Sequence, residues 1–221
     1  MYSVNNRDED RTARARIRDA AIACFAARGV DGTSLKTIAE EAEVSQGLIL
    51  HHFGTKQGLR TACDEYTVAT IQASKTSAMG QGPQMDPLAA MRAESDGPPV
   101  LEYLARTLAD GSPEVAALVD GIVEAGHAAL DEGVKSGMLK PIDQPREVAI
   151  VLTLWSLGLL TLHRHAERLL GVDITGPVED RARYVRVAME ALGRGLFTDE
   201  AYQHAYDALS AQGEEEEGHH E

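Results

Sequence analysis

The sequence predicts an all-α protein, and three observations carry that expectation. No stretch sustains the alternation of apolar and polar residues that a half-buried strand requires. Aromatic residues, which strands favour, make up only 5% of the chain. Proline recurs where a first helical turn tolerates it, at Asp86-Pro87, Ser112-Pro113, Gln144-Pro145 and Gly176-Pro177, each just ahead of a run with apolar residues spaced three and four apart.

The elements follow in chain order. Residues 1–10 are expected to form a flexible arm. The first helix, 12–28, places Ile17, Ala20, Ala21, Cys24 and Phe25 on one face, with Arg11, Arg14 and Arg18 on the other, and Gly29 ends it. Thr33-Ser34 offers a capping hydroxyl to a short second helix carrying Leu35, Ile38, Ala39 and Ala42. Val44-Ser45 makes the next turn, and Ser45 caps a third helix running to about His52. A fourth starts near Thr55-Lys56 and continues through Leu59, Cys63, Tyr66 and Ile71 to about Ala78.

Residues 80–87 and 95–99 break the chain, with short helices near 88–93 and 100–108. Pro113 opens a longer helix with Val115, Leu118, Val119, Ile122 and Val123 on one side. A single helix is expected over 145–170, and another over 177–196 with Tyr184, Ala188, Ala191 and Leu192 facing inward. Thr198 can cap a last short helix aligning Tyr202, Tyr206 and Leu209. The tail, 213–221, has nothing apolar to bury and is expected to be disordered.

Composition narrows the function. With 221 residues, 43% hydrophobic and 25% charged, the chain can bury one good core or two modest ones. Cys24 and Cys63 lack metal-type spacing and read as buried thiols in a reducing cytosol. The first twenty residues are polar and charged, unlike a secretory signal. The most apolar run, 148–162, is shorter than the ~20 residues that cross a bilayer. The expectation is a cytoplasmic protein without a membrane partner. The net charge of −14 is uneven: residues 11–60 hold eight basic and five acidic side chains, a net +3, which leaves −17 for the rest. A mildly basic head on an acidic body suits a DNA reader, and also many proteins that never meet DNA.

Catalytic chemistry finds little support. Neither a nucleophile elbow nor a phosphate loop is present. His163-x-His165 with Glu167, or His127 with Asp131 on one helical face, could suggest a metal site, but ligands two apart on a helix point to different sides, and 163–165 reads as a polar helix end. No metal, no cofactor and no enzymatic activity are expected.

Three helices with a short turn between the second and third form a tri-helical helix-turn-helix, whose third helix enters the major groove. Ala39 and Ala42 are small where the third helix must cross the second. Gly47 allows close approach to DNA, Gln46 can bond adenine or phosphate, and Leu48 or Leu50 can meet a thymine methyl. His51, His52 and Lys56 follow, and the amides at the start of the fourth helix beside Lys56 make a phosphate site. The bland alternatives are that the histidines merely cover the helix end and that Arg11, Arg14 and Arg18 form a solvated face.

Residues 17–59 resemble the DNA-binding domain of TetR/AcrR regulators. The matching residues are Ala20-Ala21, Phe25, Gly29, Thr33, Ile38-Ala39, Ala42, Val44-Ser45, Gly47, His52-Phe53, Lys56 and Leu59, in unbroken register. The resemblance implies base contacts at Gln46, Gly47, Leu48 and Leu50, and phosphate contacts at Thr33, Ser45, His51, His52 and Lys56. Two departures stand out. Leu50 replaces the family's usual tyrosine and cannot bond a phosphate, and Glu43 stands where a glycine or small residue is common.

The same resemblance implies a DNA-binding domain over 11–60 and a larger helical ligand-binding and dimerisation domain over 61–212. The 145–170 and 177–196 helices would pair with their symmetry mates, and Gly158 would allow close approach. A repressor is implied that binds a palindromic operator as a homodimer and is released by a small-molecule, partly apolar effector. Candidate effector-lining groups, taken from helix position, are Tyr103, His127, Trp155, Leu159 and His163, with Met79, Met85 and Met91 near the entrance. The competing reading is an interaction protein that keeps the fold without operator binding.

Overall fold

The computed structural model describes residues 3–93, 97–110 and 114–194, with side chains for 12–92, 97–109 and 114–193. The expected helix after Thr198, the tail 213–221 and the start at Pro113 lie outside the described residues. Within them, every regular element is helical: α1 (Ser3–Arg28), α2 (Leu35–Glu41), α3 (Gln46–Phe53), α4 (Lys56–Gly80), a 3₁₀ turn (Gly82–Gln84), α5 (Pro87–Ala93), α6 (Val100–Asp110), α7 (Glu114–Lys135), α8 (Pro145–Thr161), α9 (His163–Leu170) and α10 (Val178–Arg194).

The first three helix starts after α1 share one device. The Ser34 hydroxyl accepts from the Thr37 amide at 3.1 Å, Ser45 from Leu48 at 3.1 Å, and Thr55 from Gly58 at 2.9 Å. Each satisfies an orphan donor and contributes about 1 kcal/mol. Asp86 does the same for α5, accepting from the Leu88 and Ala89 amides.

Two cores result. The first gathers Ile17, Ala21, Ile22 and Phe25 of α1, Ile38 of α2, Ile49 of α3, and Leu59 and Cys63 of α4, and is closed by Tyr103 from α6. Both cysteines are free and buried, and burial pushes the Cys63 thiol well above its ordinary range. The second core gathers Leu104 and Ala105 of α6, Leu118 and Ile122 of α7, Leu157 and Leu160 of α8, Ala166 of α9, and the following Val172 and Ile174. The two cores meet through α4 and α6, each of which serves both.

Two boundaries differ from the sequence expectation. Residues 3–10, expected as part of a flexible arm, continue α1 toward the N-terminus. The apolar pattern that set the expected start begins late, but no glycine or proline between Ser3 and Arg28 interrupts propagation. The single helix expected over 145–170 is instead two, α8 and α9, bent by 75° at Leu162. Neither proline nor glycine marks the break. The Thr161 hydroxyl donates back to the Leu157 carbonyl at 2.9 Å, a bond that favours bending, and His163 Nδ1 lies 2.8 Å from the Leu160 carbonyl oxygen. The bend turns Ala166 into the second core while Arg164, His165 and Glu167 stay in solvent. No single described helix is long and apolar enough to cross a membrane.

Candidate nucleic-acid interface and internal cavity

The helix-turn-helix is built from the inside out. Ile49 is fully buried and pins α3 to the first core, while Leu48 and Phe53 pack against it half-buried. This leaves Ser45, Gln46, Gly47, Leu50 and His51 on the exposed side. A Cβ at Gly47 would meet only the Ser45 hydroxyl, at 3.8 Å, so packing within the chain does not demand glycine there. Leu50 is 45% exposed, an apolar side chain standing in water.

The turn before α3 contains Glu43 at φ 53°, the one described non-glycine residue with positive φ. The left-handed conformation explains why glycine suits this position, and glutamate occupies it under strain. After α3, Gly54 at φ 71° ends the helix, and Thr55 starts α4 at once, with Lys56 half-buried as its first residue. Lys56 and the α4 amides thus lie one turn of chain away from His51 and His52, whose rings sit 5.5 Å apart.

Among the expected phosphate contacts, Thr33 is the one whose side chain turns inward. Thr33 is 2% exposed, and its hydroxyl donates inward to the carbonyl oxygens of Gly29 at 2.7 Å and Cys24 at 3.2 Å. It ties the end of α1 to the start of α2, and the neighbouring Ser34 supplies the cap. Two arginines of α1 are engaged within the chain. Arg14 lies over the Phe53 ring at 5.0 Å, and Arg18 lies over Tyr66 at 3.6 Å while pairing with Asp19 at 2.7 Å. Cation–π contact therefore braces α1 against α3 and α4.

Sequence reasoning missed a polar network where the cores meet. The Tyr103 hydroxyl of α6 donates to Asp64 of α4 at 2.6 Å, and Arg60, itself buried, lies 3.9 Å from Asp64 and 3.8 Å from Glu114 at the start of α7. Burial pushes the Asp64 carboxyl above its ordinary range, partly offset by the Tyr103 hydrogen bond and then by Arg60. Burial and the adjacent carboxylate push the Tyr103 phenol well above its own. Arg60 and Asp64 stand four apart on a helix, a spacing that would have signalled an exposed pair rather than a buried one.

A cavity of about 530 Å³ opens between the second core and the turns that flank it. Tyr66, Thr70, Ile71, Ser74 and Lys75 of α4 form one wall. Opposite lie Thr153, Ser156, Leu157 and Leu160 of α8, with Ile122 of α7 behind. The first turn of α6 and the segment 97–99 before it, the segment 175–177 before α10, and Arg181 complete it.

None of the five expected effector-lining residues faces this cavity. Tyr103 is consumed in the first core. His127 pairs with Asp131 on α7 at 4.0 Å. Trp155 is 60% exposed, and Leu159 and His163 lie on other faces around the bend. The α8 residues that line it are spaced 153, 156, 157, 160, one helical face; Val151, Leu154 and Trp155 occupy the exposed one. Met79, Met85 and Met91 are also absent from its walls.

Comparison with known proteins adds a second line of observation. Residues 17–63 match the family model described as bacterial regulatory proteins, tetR family, and residues 96–198 match that of a tetracyclin repressor-like C-terminal domain. The HTH-type transcriptional regulatory protein RaaS of Mycobacterium tuberculosis is 36% identical over 211 residues, 94% of this chain and 98% of that one. A TetR-family transcriptional regulator from a Rhodococcus species, solved by crystallography, superposes with a TM-score of 0.56 at 22% identity, over 81% of this chain and 97% of that one. A gamma-butyrolactone receptor described as ArpA-like gives a TM-score of 0.50 at 24% identity, over 82% and 97%.

Proposed function

Because this chain belongs to the TetR family of DNA-binding transcriptional regulators, we propose that it is a repressor that binds a palindromic operator as a homodimer and is released when a small molecule enters the cavity beside α4. The observation that carries the reading is the exposed edge of α3. Gln46, Gly47, Leu50 and His51 stand free of the core on a helix anchored by Ile49, with Lys56 and the capped start of α4 alongside. Gln46 and Leu50 read base edges, while Ser45, His51, His52 and Lys56 contact phosphates. Thr33 has no part in this assignment.

Two copies are needed, since one recognition helix reads only a few base pairs. The exposed apolar residues Val151, Leu154 and Trp155 of α8 and Val187 and Leu192 of α10 supply a face for the second copy. Release follows if the guest prefers a conformer whose recognition helices are wrongly spaced for the operator. No catalytic role is assigned.

A mobility-shift titration on DNA from immediately upstream of its own gene, at two salt concentrations, tests the reading. A specific shift that weakens with salt and is reduced by Gln46→Ala supports it. No shift above competitor DNA, at that site or across a genomic library, overturns it in favour of an interaction protein that keeps the fold without operator binding; Leu50 in place of tyrosine is the feature that favours this second reading.

A further inference from the structure

Among the described residues that line the cavity, the buried aliphatic ones are Leu104, Ile122, Leu157 and Leu160, and the buried polar one is Thr153 of α8, 2% exposed. The Thr153 hydroxyl is used differently from others on that helix. Ser156 donates back to the Leu152 carbonyl at 2.8 Å, and Thr161 to that of Leu157 at 2.9 Å. Thr153 makes no such bond to Ala149, and among the described residues its hydroxyl meets no hydrogen-bond partner. Beside it on α7 stands Gly126, where a Cβ would come within 3.2 Å of Thr153 Oγ1. The missing side chain leaves the hydroxyl room, one turn along α7 from Ile122 in the cavity wall. A buried hydroxyl unpaired within its own chain, in the wall of a cavity, is a group that a guest can satisfy.

Resting on the reading of this cavity as the effector site, we propose that its guest is an apolar molecule whose buried end carries one neutral oxygen, a ketone, ester or alcohol, hydrogen-bonded to Thr153. The apolar body packs against Leu104, Ile122, Leu157 and Leu160 and is driven there by the surface it removes from water. A guest that is plain hydrocarbon at this end leaves the hydroxyl desolvated and unpaired, a cost that the oxygen removes. An ionised group at the same place exchanges its hydration for four aliphatic side chains and a single hydroxyl, which is far too little. The walls thus specify the chemistry of the buried end and leave the guest's outer parts free to vary.

The test uses the purified full-length protein and two volatile probes of one shape: methyl hexyl ketone, and the alkene in which a methylene group replaces its carbonyl oxygen. Binding is read from the depletion of each vapour above the protein solution, and folding from helical circular dichroism. Thr153→Val, which swaps the hydroxyl for a methyl, should weaken the ketone about fivefold, as the loss of one hydrogen bond implies, and leave the alkene unchanged. Thr153→Ser, which keeps the hydroxyl, should retain the ketone. If Thr153→Val fails to fold, Thr153→Ala decides, the ketone losing several-fold more than the alkene. Equal loss of both probes, indifference of the ketone to the substitution, or absence of binding by either probe overturns the proposal. Release from operator DNA is measured separately. Ketone that binds by these criteria without weakening the operator complex leaves the ligand class standing and removes the effector reading.

Discussion

The Tyr103 hydroxyl donates to the Asp64 carboxylate at 2.6 Å, joining α6 to α4 where the two cores meet. Both side chains come from helices that also wall the cavity, through Leu104 of α6 and Tyr66 of α4. Their bond is therefore a point at which packing around the cavity and packing of the helix-turn-helix depend on each other.

Tyr103→Phe should destabilise the protein by about 2 kcal/mol at neutral pH, since a hydrogen bond to a buried charged group is lost. The pH dependence has a definite sign. Burial already raises the Asp64 carboxyl, and the Tyr103 bond lowers it, so the variant's carboxyl lies higher still. The deficit is full while Asp64 is ionised and shrinks as pH falls through the variant's raised value, because the protonated acid no longer suffers the desolvation. Urea unfolding of both proteins at neutral and mildly acidic pH measures it.

Glu43→Gly should raise stability by about 1 kcal/mol by relieving the left-handed strain at φ 53°. Thermal unfolding would then shift upward by about 3 °C. An unchanged or lower midpoint would mean that the Glu43 side chain makes contacts worth the strain.

Thr33→Val should cost about 1 kcal/mol through the lost bonds to Gly29 and Cys24. Operator affinity and its salt dependence should be unchanged at temperatures where the variant is folded. A reduced salt slope would restore Thr33 to the phosphate contacts.

Lys56→Gln should weaken operator binding across all sequences and reduce the slope of log affinity against log salt by about one per protomer. Gln46→Ala should instead relax sequence preference with little change in slope, as direct base readout requires. Competition titrations over a salt series separate the two.

Trp155→Glu combined with Leu154→Glu should convert a dimer to a monomer in sedimentation equilibrium without loss of helix, because both side chains are exposed in the single chain. The same variant should lose operator affinity far more than Lys56→Gln.

The helix-turn-helix was legible because its signals are local. Ser45 and Thr55 begin helices three residues before the amides they cap, and Ile17, Phe25, Ile38 and Ile49 fall in register with a single core. Which of Thr33 and Ser34 caps α2 was not legible, because two adjacent hydroxyls are equivalent on paper; only the return of α1 against them decides that Thr33 turns inward. The cavity was hidden for a different reason. α8 is apolar on nearly every face, so periodicity cannot tell Leu157, which lines the cavity, from Trp155, which does not. The bend at Leu162 has neither proline nor glycine to announce it, and the Tyr103–Asp64 bond spans thirty-nine positions.

α4 runs unbroken from Lys56 to Gly80, 25 residues, or about 37 Å at 1.5 Å per residue. One end of this rod carries Lys56, and Ser74 and Lys75 lie toward the other. A pivot of 5° acting over the full length displaces the tip by about 3 Å, close to the rise of one base pair. In a twofold assembly two such tips move together while the half-sites on the duplex stay put. In the repressor proposed above, a guest that pivoted α4 by that angle would convert the change, by leverage alone, into a mismatch of DNA register.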